Sequence, residues 1–213
     1  MTIELHHFFI LTDPGALSAD HLSCIGLIEG ASNDHPGQGT ANRRFFFSNS
    51  ALELLYVSDA SEAKTGPGRR LRFAERAIDP KASPFGLVVS ELSEATKPPF
   101  PSWPYCPQYF QDHQCFHVGE NSDLFNEPLC ICMPSNLPPP QKQPRLANSH
   151  MTVTEVQIGV PVARPSATLE AIAKCSGISL RLNESHRMLL TLNEGKDGQR
   201  HDLTPDLPLI VRW

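Results

Sequence analysis

Residues 41–59 place two strand-length runs back to back, "ANRRFFFSN" and "ALELLYVSD", with only the short "NS" region between them. Runs of β-branched, aromatic and aliphatic residues bounded by turn-formers read as strands, and so short a join folds them into a hairpin. A hairpin apolar on both faces must sit inside a sheet, so the elements around it have to supply more strands. Glu53 breaks the second run at its centre, and a carboxylate in such a strand needs either a partner or a purpose.

The neighbouring segments continue the sheet. "IELHHFFILT" at 3–12 alternates Leu5, His7, Phe9 and Leu11 on one face with His6, Phe8 and Ile10 on the other, as expected of an interior strand. "DPGALSADHLSCIG" reads as a helix, with Asp13 as cap, Pro14 in the first turn and Gly26 as stop. "LIEGAS" reads as a brief strand and "NDHPGQGT" as a loop. The order over 1–59 is therefore β–α–β–β–β. The same order is expected over 151–213, and an offset of 151 positions aligns Pro14 with Pro165, Ala16 with Ala167, Cys24 with Cys175 and Gly26 with Gly177.

Residues 60–150 form a less regular middle, either a degenerate module or an insertion. "FGLVVSEL", "QCFHVGE" and "EPLCICMPS" read as strands, "KPPFPSWPYCPQYF" as extended chain, and "NLPPPQKQP" as a stiff connector. The expected fold class is α+β, with repeated βαβββ modules forming curved, mostly antiparallel sheets around a concave pocket.

Composition excludes several functions. A net charge of −5 gives no general attraction to nucleic acid. No segment reaches membrane-spanning length and "MTIELHHFFILTD" lacks the pattern of a secretion signal, so a cytoplasmic location is expected. The six cysteines, Cys24, Cys106, Cys115, Cys130, Cys132 and Cys175, lack zinc-knuckle spacing and are expected to be small buried thiols.

"LHHFFIL", followed by "HPGQGTANRRFFF" and then "ALELLYV", resembles the vicinal-oxygen-chelate superfamily, which includes glyoxalase I, bleomycin-resistance proteins and extradiol dioxygenases. The likeness is nearest to its glyoxalase-like domain branch and is specific over residues 3–58. The resemblance implies a small-molecule enzyme of lyase, isomerase or oxygenase type, or a metal-free binder of the bleomycin-resistance type, and a chain able to form a homodimer. It also implies one divalent metal ion held by His7 and Glu53, which would be the catalytic pair, with His6 as the alternative to His7. The second ligand pair is not evident: Ile158 and Pro208 stand at the matching C-terminal positions, and Cys130 or Cys132 in the middle.

Arg43, His35, Asn42, Trp103, Tyr105 and His117 are candidate pocket residues. His35 and Asn42 flank glycines that let backbone approach a ligand, and Trp103 and Tyr105 share a face of an extended segment. His117 alternates with Cys115 and His113, a pattern open to metal or nucleophile chemistry. For Glu53 the alternative is an ion pair with Arg43 or Arg44 across the hairpin.

Overall fold

The computed structural model describes residues 3–91, 97–110, 114–133 and 148–213. His113 and the proline-rich connector at 136–144 lie outside them. The architecture is mostly strand with few helices: a curled eight-stranded sheet, a half-barrel, and a second sheet of five strands.

The N-terminal part gives β1 (Ile3–Thr12), α1 (Ala19–Cys24), β2 (Asn33–His35), β3 (Thr40–Phe46) and β4 (Ala51–Val57). The middle gives α2 (Ala60–Thr65), a 3-10 turn at Pro67–Leu71, α3 (Phe73–Arg76), β5 (Phe85–Glu91), β6 (Ser102–Tyr105), β7 (Phe116–Gly119) and β8 (Leu129–Cys132). The C-terminal part gives β9 (Val153–Val160), α4 (Ala167–Ile172), β10 (Ile178–Leu182), β11 (Arg187–Leu192), β12 (Arg200–Asp202) and β13 (Leu209–Arg212).

The strand order of the large sheet is β2-β3-β4-β1-β5-β8-β7-β6. Residues 85–132 therefore supply its second half, joined to the first where β1 runs antiparallel to β5. Each half repeats one pattern, with its first strand parallel to its last (β1 with β4, β5 with β8). Pro104 is tolerated because β6 is an edge strand, where its missing N–H breaks no ladder.

The C-terminal part departs from the expected repeat. β9 lies between β10 and β11, whereas β1 lies between β4 and β5. The helix landmarks do correspond, since Gly26 and Gly177 both adopt positive φ after their helices. The sheets built around those helices differ. Other boundaries also move: residues 13–18 turn before α1 begins at Ala19, with Gly15 and Ala16 at positive φ, and the strand expected at 27–32 forms instead at Asn33–His35.

Alternation along the strands gives the large sheet two different faces. Its back face carries Phe8, Ile10, Phe45, Leu52, Leu54, Leu87, Cys130 and Cys132, which share one core with α1, with Leu169 of α4, and with Ile158, Met188 and Leu190 of the second sheet. Polar ties fix that junction. The buried Asn148 side chain donates to the carbonyls of Ile28 and Phe46, and the buried Glu127 carboxylate accepts from the Ser166 N–H and hydroxyl at the start of α4. The front face carries Phe9, Leu55, Val88, Trp103, Tyr105, Val118, Leu129 and Ile131, covered in part by Leu71 and Phe73. Gly86 makes room there, since a Cβ at that position would run into the Phe9 ring.

Three cysteines, Cys130, Cys132 and Cys175, are buried as expected, whereas Cys24 is exposed. Cys106 and Cys115 form a disulfide, which corrects the reading of all six as buried thiols. Their spacing carries no zinc or secretory signature, so the strand pairing that brings the ends of β6 and β7 together was needed to show it.

Candidate functional site

The polar residues of the front face gather in the first half of the sheet. On β3 and β4 the register pairs Arg44 with Glu53 and Asn42 with Leu55. Because Leu55 faces front, so do Glu53, Asn42, Arg44 and Thr40. Glu53 is half-buried, and its Oε2 accepts a hydrogen bond from Asn42 Nδ2 at 2.9 Å, diagonally across the ladder. The Asn42 amide is oriented from its other side, because its Oδ1 accepts the Asn33 N–H at 2.9 Å. Among the described residues Glu53 Oε1 has no hydrogen bond, and Glu53 forms no ion pair.

The two histidines of β1 meet on this side of the sheet. A register shift between Leu5 and His7 interrupts the alternation, and a β-bulge of this kind re-aims side chains. His6 Nδ1 and His7 Nδ1 lie 2.7 Å apart with the rings edge to face, so one nitrogen donates and the other accepts. Burial pushes His6 down to about 4, reinforced by His7 and opposed by the Glu53 charge. Burial pushes His7 down to about 3, with His35 and Arg44 adding to the effect. His35 is lowered as well, first by burial, with Glu53 opposing. All three imidazoles are thus neutral at neutral pH.

The "HPGQGTAN" stretch builds the next part of the site. His35 Nδ1 is 3.0 Å from Thr40 Oγ1, which also accepts from Gln38 Nε2 at 2.7 Å. Gln38 Oε1 in turn accepts from the Tyr109 hydroxyl at 3.4 Å, and the Tyr109 ring lies 5.5 Å from that of His35. Burial raises the Tyr109 phenol, with Tyr105 and Glu53 adding to it, so it stays protonated and serves as a donor. The glycines hold this loop against α2. The Gly37 and Gly39 N–H groups both donate to the Glu62 carboxylate at 2.9 Å, and Gly39, at φ +70°, sits so close to Asp59 and Ala63 that no side chain fits. Their role is to dock the loop, with the protein's own carboxylate filling the nest that the two N–H groups make.

The remaining candidates lie elsewhere. Arg43 points to the back face, where its guanidinium binds Glu29 at 2.6 Å and Asp20 at 2.8 Å. Arg44 takes the front position, but its Nε donates to the Ala31 carbonyl at 2.6 Å, so neither arginine forms the hairpin ion pair with Glu53. His117 alternates with Phe116 and Val118 and so faces back. Trp103 and Tyr105 are buried in the apolar half of the front face, Trp103 donating to Ser122 Oγ at 3.1 Å with the Arg70 guanidinium over its ring. Thr40 was not singled out from sequence, and Arg44 only as a possible ion-pair partner of Glu53. Counting positions 40, 42 and 44 against 53, 55 and 57 finds them once the hairpin register is known.

Among the described residues the second half of the sheet offers no matching polar pair. Where Phe9 stands beside Glu53 on β1 and β4, Val88 stands beside Ile131 on β5 and β8. Among the described residues no group of three or more His, Cys, Asp or Glu side chains is disposed to hold a metal ion. His7 and Glu53 alone are too few for the divalent ion that the resemblance implies, so this donor set does not fit it. A separate cleft of about 1270 Å³ lies at the far end of β1, between Thr12, Arg76, Lys81, His186 and Asp206. None of the candidate site residues lines it.

No family model matches the chain, and no curated protein matches it. Among solved structures it is similar to a hypothetical protein from Staphylococcus aureus, with a TM-score of 0.60 and 9% identity over 99% of this chain and 98% of that one. The match runs through both sheets, so the C-terminal sheet belongs to a recurring arrangement. The curled sheet is compatible with a vicinal-oxygen-chelate-like fold. No helix among the described residues is long and apolar enough to cross a membrane.

Proposed function

We propose that this chain is a small-molecule enzyme of the glyoxalase-like branch, in which Glu53 takes a proton from a carbon next to a carbonyl. The observation that carries this is the state of the carboxylate: Oε2 is held by Asn42, Oε1 is without a hydrogen bond among the described residues, and the neutral imidazoles of His6 and His35 lie close enough to feel its charge. A base needs an oriented, uncommitted oxygen, and a neutral imidazole N–H can hydrogen-bond the enediolate oxygen that forms. The step uses only side chains of this protein.

The test is solvent-deuterium exchange into small α-hydroxy and α-keto carbonyl compounds, followed by proton NMR. Glu53→Gln should lower exchange by about 10²–10⁴-fold, the usual worth of a positioned base. Equal exchange in both proteins across the panel would reject the proposal.

A second reading, a binder of the bleomycin-resistance type, draws on the aromatic run beside the site. Tyr109 and Phe110 lie 5.3 Å apart, Phe110 and Phe116 4.6 Å, and Phe116 and Tyr105 6.2 Å. Such a run suits a flat apolar ligand. Retained binding of a flat aromatic compound by Glu53→Gln, with no exchange by either protein, would favour it.

A further inference from the structure

Tyr109 and Phe110, which edge the site, lie on a segment whose two ends are bonded covalently, since Cys106 leaves β6 and Cys115 enters β7. The bond spans a sequence separation of nine residues. Inside it, Tyr109 makes a hydrogen bond to Gln38 and a ring contact with His35, which among the described residues tie it to the first half of the sheet. Cys106 is exposed and Cys115 half-buried. An exposed disulfide is the kind that thiols reach and reduce.

We propose that Cys106–Cys115 is a thiol-exchange site whose redox state decides whether Tyr109 is held over His35 and Gln38. A low-molecular-mass dithiol supplies the electrons. One of its thiolates attacks the exposed Cys106 sulfur, the S–S bond breaks, and the electron pair leaves on Cys115 sulfur, which takes up a proton. The second thiolate of the reagent then attacks its own sulfur in the mixed disulfide and releases Cys106 as a thiolate. The net change is one protein disulfide reduced and one dithiol oxidised. Opening the ring removes the covalent closure beside Tyr109, and its hydrogen bond to Gln38 does not replace one. The proposal is independent of proton transfer at Glu53, and each can fail without the other.

The test uses the full chain labelled with 3-fluorotyrosine, with the three tyrosine signals assigned through Tyr109→Phe and Tyr56→Phe. Dithiothreitol should move the Tyr109 fluorine resonance by more than its line width, leave Tyr56 in place, and raise amide exchange at residues 37–39 at least five-fold. Air reoxidation should reverse all of this. The Cys106→Ser/Cys115→Ser double variant should show the reduced-state signal with or without dithiothreitol. If that variant does not fold, the reversible change in the unmodified chain decides. An unmoved Tyr109 signal on reduction, a double variant matching the oxidised protein, or alkylation of both cysteines in air-equilibrated protein would each overturn the proposal.

Discussion

The two halves of the eight-stranded sheet share one strand pattern and carry opposite chemistry on the same face. The first half presents Thr40, Asn42, Arg44 and Glu53 beside the two histidines of β1. The second half presents Val88, Leu129, Ile131, Val118 and Trp103, packed as core. A curled sheet of repeated units therefore does not imply a site built equally from both. Here one half anchors the fold, and the other is left polar enough to bind or react. This asymmetry is also why, among the described residues, no second ligand pair stands opposite His7 and Glu53.

The comparison breaks first on stability. Leu129→Ala, in the apolar half, should cost about 2–5 kcal/mol through lost burial and the cavity left behind, read as a lower denaturation midpoint. Glu53→Gln, in the polar half, should cost under about 1 kcal/mol, since a side chain of the same shape replaces a carboxylate holding one hydrogen bond. Equal losses from the two substitutions would make Glu53 a structural member of the ladder.

The next largest effect is a dependence on pH. His6 and His7 have folded values of about 4 and about 3, below the ordinary 6.5. Between those values the unfolded chain binds protons that the folded chain does not. Their contribution is therefore complete above about pH 6.5 and is lost as the pH falls through about 4 for His6 and about 3 for His7. Titrating independently, each ring would cost about 2 kcal/mol between pH 7 and pH 5. His35 is shifted in the same sense. Urea denaturation at pH 7 and pH 5 measures the slope, and His6→Gln with His7→Gln should flatten most of it.

Asn42→Ala should cost about 1–3 kcal/mol, because it strips partners from the Asn33 N–H and from Glu53 at a buried position. It should also lower exchange activity by freeing the carboxylate to turn. Asn42→Asp should be worse for activity than for stability, since it sets a second carboxylate against the first. The smallest effect is expected at Arg43, whose ion pairs face away from the site. Arg43→Gln should cost under about 1 kcal/mol, less at high salt, and leave exchange activity unchanged.

Much of the polar half was legible in the sequence. "ALELLYV" shows a carboxylate stranded in an apolar strand, and "HPGQGTAN" supplies His35 and Gln38, which both bond Thr40, and Asn42, which bonds Glu53. The choice between Arg43 and Arg44 was not, because face parity depends on the register across the "SNS" turn. The pairing of both histidines was not legible either. A bulge inserts one residue without any marker in composition, and strict alternation sends His6 and His7 to opposite faces. Which segment completes the large sheet is a matter of long-range pairing between β1 and β5, and local pattern carries no information about it.

The most direct test of the central claim is deuterium exchange into small carbonyl compounds in the presence of a strong metal chelator, for the unmodified chain and Glu53→Gln side by side. The account predicts that exchange persists in chelator and falls about 10²–10⁴-fold on substitution of this one oxygen-bearing group. Exchange that vanishes with chelator, or that is indifferent to Glu53→Gln, would contradict it.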